Sequence, residues 1–160
     1  MKRSTVLFAA LILSGRLAAP RSATAQTIAT AGVGGTYPAE TSFAGVMVNG
    51  LHSGLGVEIN ADGSGLGQFS AILLGVSPLG MEQPIRLEGK VTSGLRPAPN
   101  VAVLSGTTTV DLGDGLPPAE GVPFTLTVTT DANGQGTIGL ATDLATLPDA
   151  TVNAGSITIY

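Results

Sequence analysis

The segment Ile85-Arg86-Leu87-Glu88-Gly89-Lys90-Val91 alternates at every step, with apolar residues or glycine at odd positions and charge at even ones. A repeat of two is the period of a β-strand with one buried and one wet face. It also argues for an antiparallel sheet, where one face is packed and the other solvated. Residues 122–130 alternate in the same way, with Val122, Phe124, Leu126 and Val128 set against Pro123, Thr125, Thr127 and Thr129. No window shows a convincing period of 3.6. Further strands are expected at 42–49, 56–60, 67–74, 101–112, 137–142 and 156–160, with a short edge strand at 27–33. Gly, Asp, Asn and Pro cluster between them, as turns require.

Glycine then narrows the fold class. Gly45, Gly67, Gly89, Gly106, Gly136 and Gly155 each lie two residues from a large apolar side chain, which puts them on the inner face of their strands. Inward glycines let a sheet coil sharply and close. The expectation is an all-β, single antiparallel barrel or strongly coiled sandwich of about eight strands. A Greek-key sandwich with immunoglobulin-like topology is the alternative.

The chain also aligns on itself. Residues 57–69 and 126–138 share the pattern apolar-x-apolar-x-x-Asp-x-x-Gly-x-Gly-x-apolar without a gap. Asp62 and Asp131 are expected to open the two turns, and Gly65 and Gly134 to supply positive φ. Phe43-Ala44-Gly45 is similar to Leu104-Ser105-Gly106, and Gly89-Lys90-Val91-Thr92 to Gly155-Ser156-Ile157-Thr158. These matches point to an internal duplication of a four-strand unit, with pseudo-repeats at about 41–93 and 102–160 sharing one core.

The N-terminus reads as an export signal. Lys2 and Arg3 precede an apolar stretch from Val6 to Gly15, too short to span a bilayer, and Ala23-Thr24-Ala25 offers a small-x-small cleavage site. Residues 1–25 are therefore expected to be a signal peptide cleaved before Gln26, a retained anchor being the alternative. Residues 26–160 are then a single all-β domain. Four of the seven basic residues fall in the signal. Only Arg86, Lys90 and Arg96 remain against eleven carboxylates, a net charge of −8. Such a chain repels nucleic acid and anionic headgroups. A core can form without disulfides at this length, and the chain has no Cys.

The residues that could carry chemistry are few. His52 is the single histidine and stands beside Ser53. It is expected in a hairpin loop, with no Gly-x-Ser-x-Gly elbow to make it a general base. One His and no Cys do not make a zinc or copper site. Asp111-Leu112-Gly113-Asp114-Gly115 and Asp131-Ala132-Asn133-Gly134 bring oxygens together, but without the spacing of a calcium loop or its closing Glu. Gly63-Ser64-Gly65-Leu66-Gly67 is followed by strand residues and not by the helix that a phosphate-cradling loop needs. Asp111-Leu112-Gly113-Asp114-Gly115 also resembles the Asp-aromatic-Gly-Asp-Gly signature of polycystic-kidney-disease domains, which are extracellular immunoglobulin-like sandwiches. Leu112 replaces the aromatic and no later Tyr follows, so the likeness is that of a shared turn. No catalytic, cofactor-binding or metal-binding residue is assigned.

The functional expectation is a secreted or periplasmic bacterial β-domain without enzymatic activity, in a structural or surface- and matrix-binding role. Its partner would be a protein, a glycan or a small apolar ligand. No nucleic acid is expected, and no membrane insertion once the signal is removed: the C-terminal Tyr160 is similar to the terminal aromatic of outer-membrane barrels, but Ser156 and Thr158 share its face. The alternative is a small barrel that binds or isomerises a small apolar ligand, lipocalin-like or allene-oxide-cyclase-like in architecture.

Overall fold

A computed structural model describes residues 26–160; the expected signal peptide lies outside the described residues. Among them there is no helix, and strands run in sequence as β1 (Thr27–Thr36), β2 (Ser42–Phe43), β3 (Val46–Ile59), β4 (Ser64–Val76), β5 (Ile85–Ala98), β6 (Val101–Asp111), β7 (Ala119–Thr130), β8 (Gly136–Thr142) and β9 (Ala150–Ile159). All pairings are antiparallel and form one sheet. From β3 to β9 each strand pairs with its neighbours in sequence. The sheet closes because β1 pairs with β9 on one side and with β3 on the other, making a ring of eight strands. This is an up-and-down meander and not a Greek key. Closure removes the open edges that expose unpaired backbone groups.

Two expectations are corrected by this arrangement. First, 27–33 is no edge strand: β1 is a full member of the ring, running in register from Thr27↔Ile59 to Thr36↔Gly50. Second, 42–49 and 56–60 are not separate strands around a hairpin loop. Val46–Ile59 is continuous, and a bulge between Val48 and Gly50 inverts its alternation. That switch of parity is what makes a two-periodic reading break the strand in two.

The two hairpin turns are alike but two residues out of step with the ungapped alignment. In one, Asn60 N–H donates to Ser64 O (2.9 Å), Gly63 N–H to Asn60 O (3.0 Å), and Gly63 has φ 82°. In the other, Asp131 N–H donates to Gln135 O (2.6 Å), Gly134 N–H to Asp131 O (3.1 Å), and Gly134 has φ 77°. Gly63, not Gly65, is therefore the counterpart of Gly134, and Asn60 opens the first turn. Each left-handed glycine accepts a hydrogen bond from a strand beyond its hairpin, from Gly94 N–H in one case and Ile157 N–H in the other.

The core fills the ring. Inward residues from every ring strand are buried, including Leu55, Phe69, Leu73, Leu87, Leu104, Phe124, Leu126 and Ile138. At its centre the Phe69 and Phe124 rings meet with centroids 4.6 Å apart and planes tilted by 52°, a favoured aromatic geometry. They occupy space that two inward glycines leave free. A Cβ on Gly89 would overlap the Phe69 ring, and a Cβ on Gly106 would collide with the Lys90 carbonyl and lie 3.1 Å from Phe124 Cε1. Gly45 and Gly155 do not act as inward kinks: they take φ 85° and 79° in a turn and at an irregular stretch of β9.

The weakest seam lies between β8 and β9, whose ladder holds only Thr137↔Thr151 and Ile138↔Ala150. Loops and side chains seal it. Leu147 N–H donates to Leu140 O (2.9 Å), Gln135 Nε2 to Gly155 O (3.1 Å) and Thr130 Oγ1 to Ile157 O (3.1 Å).

These contacts predict opposite effects for two alanine substitutions. Gly89→Ala overpacks the core and is expected to cost about 1–3 kcal/mol. Gly56→Ala adds a methyl in open space on an extended strand and is expected to be neutral or to stabilise by about 0.4–1 kcal/mol. Urea unfolding of both variants checks the contrast.

Candidate functional site

The ring gives the molecule two unlike ends and a wall. At one end the turns are tight, at 60–63, 99–100 and 131–135. At the other the loops are longer, at 77–84, 112–118 and 143–149. On the wall, strand alternation points Arg86, Glu88 and Lys90 of β5 outward, together with Gln68, Ser70 and Ile72 of β4. The registers place these beside His52, Gly54 and Gly56 of β3, and those beside Gly34, Gly32 and Thr30 of β1.

The result is a step in the wall. Long side chains stand on β4 and β5, and bare backbone lies at Gly32, Gly34, Gly54 and Gly56. A groove of about 570 Å³ runs along it, lined by Gly54, Gly56, Gln68, Ser70, Glu88 and Lys90 among others. It continues past His52 and Arg86 on one side and Leu66 on the other. Glycine inside a strand weakens it, and this is tolerated where a bend or a close approach requires it. At Gly32 and Gly56 neither requirement comes from the fold. Neither has positive φ, and a Cβ there would meet nothing within 4 Å.

His52 is exposed at mid-strand, not in a loop. Its ring lies over Gly34, where a Cβ would stand 3.5 Å from His52 Nδ1. Ser53 is the next residue of the same strand and therefore faces the other way. It is buried, and its Oγ donates to Ser70 O (3.1 Å). The two side chains are on opposite faces of the sheet and form no pair.

The acidic turns are occupied by their own backbone. Asp111 Oδ1 accepts from Gly113 N–H (2.9 Å) and Asp114 Oδ1 from Leu116 N–H (3.0 Å). Asp131 Oδ1 accepts from both Asn133 N–H (2.8 Å) and Gln135 N–H (2.9 Å). These are Asx turns, which set chain direction. Among the described residues no three His, Cys, Asp or Glu side chains are grouped to hold a metal ion.

One buried polar atom is unexplained. Tyr37 is 8% exposed, and its hydroxyl has no hydrogen-bond partner. Burial pushes the phenol pKa up, since the charged form would lose its hydration. The sequence reading passed over Tyr37 and the floor glycines. The floor does leave a signal, because Gly32-Val33-Gly34 and Gly54-Leu55-Gly56 each bracket an inward residue with two outward glycines.

Compared with protein-family models, curated proteins and solved structures, the chain matches none.

The turn at 60–64 gives a pH dependence. Ser64 Oγ (2.6 Å) and Ser64 N–H (2.9 Å) both donate to Asp62 Oδ1 and hold its carboxyl below the usual range, the hydroxyl contributing most. A depressed carboxylate pKa stabilises the fold at pH above the unfolded value, and that gain is lost as pH falls through the folded value. Asp62→Asn is therefore expected to lower the urea midpoint slightly at pH 7. The gap should close below the usual Asp range of about pH 4.

Proposed function

We propose that the chain is an exported, non-enzymatic β-domain that acts in a structural or surface- and matrix-binding role through the groove on its outer wall. The observation that carries this reading is the bare floor at Gly32 and Gly56. The fold gains nothing from glycine there, so the benefit of exposed backbone is assigned to something that approaches from outside. Arg86, Glu88 and Lys90 give that visitor charged contacts along one side. Export rests on Lys2, Arg3, the apolar stretch after them and Ala23-Thr24-Ala25.

Other features support the exclusions. His52 and Ser53 diverge, which leaves no nucleophile–base pair there. Charges on the wall would be costly against hydrocarbon, which supports a barrel that stays in water. The excess of carboxylates disfavours nucleic acid. The matched turns of β3–β4 and β7–β8, four strands apart in the ring, support descent by duplication.

Tyr37 favours a second reading, a barrel that holds a small apolar ligand with one hydrogen-bond acceptor. A buried hydroxyl with no partner costs about 1–3 kcal/mol. Under the outer-wall reading Tyr37→Phe relieves that cost and raises the urea midpoint. Under the carrier reading the same variant loses a ligand that mass spectrometry finds in the wild-type protein.

Binding of the labelled exported protein to glycan arrays and to intact producing cells tests the outer-wall reading. Wild-type protein is expected to bind one of these surfaces, and Gly56→Leu, which fills the groove from an exposed position, to bind it at least tenfold less. Equal binding by the variant contradicts the assignment of the groove, and a wild-type protein that binds neither surface contradicts the role.

A further inference from the structure

We propose that the groove takes a second copy of this chain, which enters by its β4–β5 loop. The proposal rests on the groove being the binding surface and names its occupant.

The loop at 77–84 has the features of an inserting element. Leu79 is 83% exposed and Met81 61%, which puts two large apolar side chains together at the loop tip, where a partner could cover them. The tip is already fixed in shape. Ser77 N–H donates to Met81 O (2.8 Å), Gly80 N–H to Ser77 O (2.9 Å) and Met81 N–H to Ser77 Oγ (3.2 Å). A preformed tip loses little conformational freedom on binding. The loop carries the carboxylate of Glu82, and Asp114 lines the same depression beside it.

Charge pairs this end with the wall. Loops 37–45, 77–84, 112–118 and 143–149 contain no Lys or Arg, but they carry Glu40, Glu82, Asp114, Asp143 and Asp149. Among the described residues there are three cations, and two of them, Arg86 and Lys90, line the groove system. A partner with an acidic, apolar tip suits a groove with a bare floor and a rim where Arg86 and Lys90 flank the single carboxylate of Glu88, and the chain itself presents such a tip. Shape agrees, since the tip projects and the wall is recessed at Gly54 and Gly56.

The two patches are different surfaces of one molecule, so their contact is heterologous. Each copy that fills a groove still offers its own groove and tip, and such contacts propagate unless the rotation closes a ring. Copies joined tip to groove would give an extended assembly, consistent with a structural or matrix role.

Sedimentation velocity of the exported protein from about 1 µM to about 1 mM tests this. The wild-type sedimentation coefficient is expected to rise with concentration and to pass beyond the dimer. Gly56→Leu blocks the groove, and Leu79→Ser with Met81→Ser removes the tip. All three substitutions are at exposed positions, and circular dichroism and the urea midpoint verify that the variants fold. Each variant alone is expected to associate at least tenfold more weakly. An equimolar mixture keeps one competent groove and one competent tip, and is expected to stop at a heterodimer. A wild-type protein that stays monomeric throughout overturns the proposal, as do variants that associate like wild type or a mixture that stays monomeric. If the wild type is monomeric and Gly56→Leu still abolishes surface binding, the groove keeps its role and only the second copy is removed as its occupant.

Discussion

The structure depends on β1 sitting between β9 and β3. Without that strand the remaining sheet is an open meander with two long edges, and its inner face has no opposite wall to pack against. With it, the inward side chains of all eight ring strands converge on one interior. The ladder from Thr27↔Ile59 to Thr36↔Gly50 is uninterrupted on the β3 side, while the β9 side absorbs a register shift between Gly34 and Gly35. Bulges in β3, β4, β5 and β7 supply the coiling that closure requires.

Closure sets the size of the interior, and size decides what the interior can do. Eight strands enclose a space that side chains can fill. Here the Phe69 and Phe124 rings take the middle because Gly89 and Gly106 yield it to them. Inward glycines serve packing, while outward glycines at Gly32 and Gly56 border open space. With the interior so occupied, the proposed recognition surface is the outer wall.

Much of the fold was legible in sequence because alternation reports burial directly. Ile85–Val91 and 122–130 lie as their period of two requires, with Leu87, Val91, Phe124 and Leu126 buried. The inward placement of Gly89 and Gly106 was legible for the same reason, but not the aromatic rings that fill the space they leave. What failed was local. The bulge at Val48/Gly50 inverts the alternation of β3, so one long strand read as two with His52 in a loop. The short, glycine- and alanine-rich β1 has too few large residues to announce burial, and read as an edge. The turn register slipped by two because Asp62 and Asp131 both make Asx turns, from inside one turn and from the start of the other. The groove was not read from the sequence because it is formed by what its floor glycines lack, and alternation scores an outward glycine as neutral.

Native-state hydrogen exchange across β1 tests the central claim, that this strand closes the ring, most directly. The account predicts that backbone amides of Ala29–Val33 exchange as slowly as those of β5 and β6, through global unfolding alone. Exchange of these amides by local opening, at free energies well below that of global unfolding, would contradict it and leave β1 an edge strand laid on an open sheet.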